Sequence, residues 1–146
     1  MIYVSTRGTA PKINFSETLL TGLASDGGLY LPEQYPNLSK QDLDDLRDLG
    51  YADLAYQIMR EYIGDQDIPH ADLKKIIDKT YTKDIFAFTR DDQRAEDITP
   101  VTKVSNNLYM LSLSNGPTLA FKDIAMQFLG NIFEYLLNRE NKKLNI

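Results

Sequence analysis

Lys122 is the residue of this chain best placed to do chemistry. It lies in Gly116-Pro117-Thr118-Leu119-Ala120-Phe121-Lys122-Asp123, between a β-prone run and a long apolar helical pattern. An amine at the mouth of a βα unit, beside turn residues that expose it, can attack an aldehyde and form a Schiff base. The positive potential of a helix N-terminus and partial desolvation both disfavour the ammonium and favour the free amine, which is the nucleophile. Asn115-Gly116-Pro117-Thr118 is turn chemistry able to bring backbone N–H groups toward a ligand. The same residues admit a plainer reading, a solvated first-turn lysine after a Gly-Pro that merely ends a strand.

The elements that must position this segment can be read from periodicity. Ile2-Tyr3-Val4 is a short strand closed by Thr6-Arg7-Gly8. Ser16 is expected to cap a helix whose apolar face is Phe15, Leu19, Leu20 and Leu23, with Asp26-Gly27-Gly28 stopping it and Leu29-Tyr30-Leu31 following as a strand. Ser39 and Asp42 form a capping pair, with Leu43 and Leu46 expected to be buried. Apolar residues recur at helical spacing over residues 51–63, stopping at Gly64, and again from Pro69 and His70 through Leu73, Ile76, Ile77 and Tyr81. Residues 39–81 therefore read as a small helical subdomain. The charged run 89–97 is the natural boundary. Beyond it, Ile98–Val104 and Leu108–Leu113 read as strands around the turn Ser105-Asn106-Asn107, the second apolar enough to be buried on both faces. A helix from about Phe121 to Asn138 follows, its apolar residues nearly encircling it, and Lys142–Ile146 reads as the start of another strand. The fold class expected is α/β. A mostly helical N-terminal part with short strands, residues 1–90, precedes the beginning of a βαβ parallel-sheet domain, residues 91–146.

Composition narrows the function. The 146 residues are 42% apolar and 25% charged, a globular balance. The net charge of −5 and the lack of any Lys/Arg-rich run argue against nucleic acid as a partner. There is no cysteine and one histidine, His70, so thiolate chemistry is excluded and no metal site is expected. No stretch is long and apolar enough for a membrane span and the N-terminus lacks a signal-peptide core, which leads to a cytoplasmic expectation.

The segment Asn115–Asp123, followed by Met126-Gln127-Phe128-Leu129-Gly130, closely resembles the cofactor-lysine segment of threonine synthases. Tyr3-Val4-Ser5-Thr6-Arg7-Gly8 and Leu19–Pro32 resemble the start of the same family, in the branch with an extra N-terminal domain. The resemblance runs in colinear order over essentially all of the chain. It implies a fold type II enzyme that uses pyridoxal 5'-phosphate, a carbon–oxygen lyase acting on phosphates in threonine biosynthesis, converting O-phospho-L-homoserine and water to L-threonine and phosphate. Lys122 would be the catalytic and cofactor-binding residue, and Thr118 and Asn115 would line the substrate end. Asn115 departs from the family, where histidine is common at that position. The resemblance also places the cofactor's phosphate-binding loop after Ile146, so the chain by itself is expected to be inactive. The rest of the catalytic domain, or a partner chain, would have to cover helix 121–138. Two alternatives stand beside this: a non-catalytic interaction module, and a related lyase acting on another phospho- or sulfo-amino acid.

Other polar residues have plainer roles. Asp42-Leu43-Asp44-Asp45 and Asp91-Asp92 read as solvated surface, Asp123 as a helix N-terminus stabiliser, and His70 as a cap or surface residue. Arg7 could meet a phosphate through its planar fork, although a structural arginine is the safer expectation.

Overall fold

The computed structural model describes residues 1–88 and 97–143. The chain opens with β1 (Tyr3–Ser5), then α1 (Phe15–Thr21) and β2 (Tyr30–Pro32), and β1 and β2 pair antiparallel with Val4 opposite Leu31. The cap of α1 is Asn14 rather than Ser16. Asn14 Oδ1 accepts from Glu17 N at 2.9 Å and Glu17 Oε2 accepts from Asn14 N at 3.0 Å, a reciprocal box. Ser16, the second residue of the helix, is buried, and its N–H donates to the Asp67 carboxylate. The helix ends at Gly22, whose φ of 73° only glycine adopts readily, so Asp26-Gly27-Gly28 does not stop it but turns the chain into β2.

Asp26 ties this N-terminal unit together. Its carboxylate accepts from Ser5 Oγ at 2.7 Å, from the backbone N–H of Gly28 and Ala10 at 2.9 Å each, and from Thr9 N at 3.0 Å. Arg7 Nη1 donates to the Asp26 carbonyl at 2.9 Å, so the arginine has the structural role. A Cβ on Gly28 would stand 2.2 Å from Ser5 Oγ, which is why the second glycine of the turn has no side chain.

Helices α2 (Lys40–Leu46), α3 (Tyr51–Tyr62) and α4 (His70–Thr80) follow. The Ser39–Asp42 box caps α2 as expected, but Leu43 is 55% exposed and only Leu46 is half-buried. Two turns of helix bury little, and α2 lies at the edge of the unit. The core is built on α4. Leu73, Ile76, Ile77 and Thr80 are buried on its inner face, and Ile63, Ile68, Tyr81, Phe86 and Ile98 close around them. The last helix, α5 (Asp123–Glu140), lays Ile132 and Leu136 into the same core. Polar bonds fix its alignment: Tyr81 Oη donates to the Ile124 carbonyl at 2.9 Å, and Asn131 Nδ2 to Thr80 Oγ1 at 2.8 Å.

The two strands expected around the Ser105-Asn106-Asn107 turn are present, and the burial expected of the second is not. β3 (Val101–Ser105) and β4 (Leu108–Leu111) pair antiparallel, with Val101 opposite Leu111 and Lys103 opposite Tyr109. The two-residue Asn106-Asn107 link returns the chain at once, which forces an antiparallel hairpin, since a parallel pair needs a long crossover. No parallel strand pair occurs among the described residues. β4 is exposed along its whole length rather than buried on both faces. α5 is likewise packed on one side only. Asp123, Ile132 and Leu136 are buried, while Met126 is 54% exposed. The charged run expected at 89–97 and the strand expected at 142–146 fall almost wholly outside the described residues, and Lys142 and Lys143 carry no strand.

Two outcomes are expected. Leu73→Ala removes a fully buried side chain and should lower the unfolding free energy by about 3 kcal/mol, whereas Leu43→Ala should change it by less than about 0.5 kcal/mol, both read from urea denaturation. Hydrogen bonds, that of Ser5 foremost, hold the Asp26 carboxyl below its ordinary 3.8, so its stabilisation is complete above that value and drains away as pH falls below it. Asp26→Asn should therefore cost most at about pH 5 and progressively less as the pH is lowered below the ordinary carboxylate value, and a penalty unchanged down to about pH 2 would refute the linkage.

Candidate functional site

Residues 112–122 connect β4 to α5, and three local features shape the part from Asn115 onward. Asn115 and Gly116 are buried, and the Asn115 carbonyl accepts from Phe88 N at 3.2 Å, pinning the start of the loop to the chain that follows α4. Leu119 adopts φ 58°, an uncommon conformation for a leucine, and its N–H donates to the Gly116 carbonyl at 3.0 Å. Lys122 has already taken up helical angles, φ −58° and ψ −27°, and its carbonyl accepts from Met126 N at 2.8 Å.

Asp123 locks these pieces together. It is only 3% exposed, and its two oxygens are both used: Oδ2 accepts from Thr118 N and Oδ1 from Thr118 Oγ1, each at 2.8 Å. The carboxylate at the first turn of an 18-residue helix also meets the positive end of the helix dipole. Gly116 completes the fit. A Cβ there would lie 2.4 Å from Asp123 Cβ and 2.6 Å from Oδ2, so any larger residue would push the carboxylate out of place.

Lys122 is exposed, and among the described residues its Nζ has no hydrogen bond or ion pair. The side chain is therefore accessible, but the expected desolvation is absent: the neighbouring Leu119 and Phe121 are themselves 58% and 67% exposed. Thr118 is exposed too, on the same loop. Asn115 is 4% exposed and its Nδ2 lacks any hydrogen-bond partner. Burying an amide donor without a partner is costly. The Asp123–Thr118 pair was not read from the sequence. Its one local sign is an acidic residue at the helix start five positions after a threonine.

Elsewhere, an apolar pocket of about 400 Å³ opens between α1, α3 and α5, lined by Phe15, Tyr51, Tyr81, Phe128 and Ile132 among others. Among the described residues no group of three or more His, Asp or Glu side chains is arranged to hold a metal, and no helix is long and apolar enough to cross a membrane.

Comparison with known proteins gives this loop a context. Residues 2–81 match the family described as "Threonine synthase N terminus". The whole chain is 57% identical to the threonine synthase of Methylobacillus glycogenes, covering 30% of that protein, and 98% of it is 44% identical to the threonine synthase of Saccharomyces cerevisiae, covering 27%. Among solved structures, a PLP-bound threonine synthase from Brucella melitensis superposes with a TM-score of 0.85 at 37% identity, over 98% of this chain and 29% of that one. The yeast threonine synthase structure gives 0.81 at 43%, over 99% and 28%. The chain spans about 30% of the length of the relatives it matches. With more than half of its residues inside the family match, this chain belongs to the threonine synthase N-terminal family.

Proposed function

We propose that this chain is the N-terminal portion of a threonine synthase of fold type II, which converts O-phospho-L-homoserine and water to L-threonine and phosphate in the cytoplasm. Residues 1–90 serve as the N-terminal domain, and residues 91–146 begin the domain that holds pyridoxal 5'-phosphate. The observation that carries this reading is the unpaired, exposed amine of Lys122 on a loop fixed from within by Asp123.

The residues present fit the cofactor. A free primary amine is what its aldehyde requires, and the Asn115 Nδ2 without a partner is a polar group awaiting an acceptor. Lys122 would hold the cofactor through Nζ and afterwards carry protons at that same atom, since lysine is both nucleophile and base. When bound, the cofactor supplies the electron sink for loss of phosphate and addition of water. Thr118 and Asn115 would line the substrate end.

The remainder of the catalytic domain is needed as well. Val101, Val104, Leu108, Tyr109 and Leu111 on the hairpin are each more than half exposed, and with Phe121 and Met126 they leave an apolar surface that other parts of the enzyme would cover. The 146-residue chain by itself is inactive on this reading, and threonine formation by the isolated chain would overturn that point.

Borohydride reduction after incubation with pyridoxal phosphate, followed by digestion and mass spectrometry, tests the assignment. In the full-length protein carrying this segment, one stoichiometric adduct at Lys122 is expected. The isolated chain should be modified weakly and at many lysines. If the full-length protein shows no preference for Lys122, the cofactor reading fails.

A further inference from the structure

A threonine hydroxyl has one proton to give and two lone pairs with which to accept. A carboxylate can only accept. Thr118 Oγ1 lies 2.8 Å from Asp123 Oδ1, and the other carboxylate oxygen is occupied by the backbone N–H of Thr118 itself. The hydroxyl proton is therefore committed to Asp123. What Thr118 retains on its exposed side is lone pairs alone. The arrangement is held in place: Asp123 is 3% exposed at the start of α5, and the missing side chain of Gly116 gives it room.

We infer that Asp123 is a positioning residue that fixes Thr118 as a hydrogen-bond acceptor, so that Thr118 recognises a donor on the bound ligand, an ammonium or hydroxyl group of an amino acid, and not the oxygens of its phosphate or carboxylate. This deepens the function proposed above and rests on it. It assigns Thr118 a chemical polarity, and it separates the duty of meeting anions, which needs donors, from the duty of Thr118. An acceptor facing an ammonium forms a charge-assisted bond, the stronger kind.

The test uses the full-length protein and two probes, L-homoserine for the amino-acid end and inorganic phosphate for the anion end, each measured as a competitive inhibitor of O-phospho-L-homoserine turnover. Thr118→Val should weaken L-homoserine by about tenfold or more, the loss that follows removal of a partner from a charged group, and leave phosphate inhibition within about twofold. Thr118→Ser should restore L-homoserine binding. Asp123→Asn should act in the opposite sense on the two probes. An asparagine amide can donate to Thr118 Oγ1 and release the hydroxyl proton outward, so phosphate should bind several-fold tighter while L-homoserine weakens. Thermal melting of each variant separates loss of fold from loss of recognition. If Asp123→Asn does not fold, the Thr118→Val and Thr118→Ser pair still decides. Equal loss for both probes, loss confined to phosphate, or no change in either would overturn the inference. Absence of turnover in the unmodified full-length protein would instead sink the proposed function, and this inference with it.

Discussion

Leu73, Ile76, Ile77 and Thr80 share one face of α4, and three other parts of the chain meet on it. Ile63 and Ile68 arrive from the link after α3, Phe86 from the segment after α4, and Ile132 and Leu136 from α5. Burying this apolar face is the dominant favourable term available to a chain of this size. The polar bonds across the same contact, Tyr81 to Ile124 and Asn131 to Thr80, add little net energy but exclude alternative alignments of α5. Because α5 begins at Asp123, its packing on α4 also sets where the Lys122 loop stands. The position of the Lys122 amine is thus a consequence of a hydrophobic contact made about three and four turns further along the same helix.

Two carboxylates do the same job at opposite ends of the chain. Asp26 gathers Ser5, Thr9, Ala10 and Gly28 around its oxygens, and Asp123 gathers Thr118. Each folds an irregular loop by satisfying backbone N–H groups that no regular element could reach. Each also needs a glycine nearby, Gly28 beside Ser5 and Gly116 beside Asp123, because the backbone comes too close for a Cβ. Each loop is thereby held in one shape by bonds within the loop itself.

Much of this was legible beforehand. The capping box at Ser39–Asp42, the helical spacing over α3 and α4, and the inward set Leu73, Ile76, Ile77 and Tyr81 follow from residue types within a few positions of one another. The cap of α1 was legible too, since Asn14 has Glu17 three residues on, yet Ser16 drew the assignment because serine is an equally good cap. Its burial against Asp67, 51 residues away, could not be anticipated locally. In the candidate site, the structural role of Asp123 was expected, whereas the exposure of Lys122 matches the plainer reading of a solvated first-turn lysine and not the partly desolvated one. The direction of the Asp123 carboxylate toward Thr118 was not expected, because it depends on how tightly Gly116 lets the loop close.

The sequence by itself determined roughly where the helices and the first four strands lie, and which lysine stands at a helix start beside a turn. These are decided by interactions within one or two turns of chain, where caps and periodicity act. Only the tertiary structure decided that both strands of the β3–β4 hairpin stay largely open, that α5 buries one side and leaves the other bare, and that the Thr118 hydroxyl gives its proton to Asp123. Those outcomes depend on which distant surfaces compete for the same apolar face and on approaches of a few tenths of an ångström, and neither is encoded in the spacing of residue types.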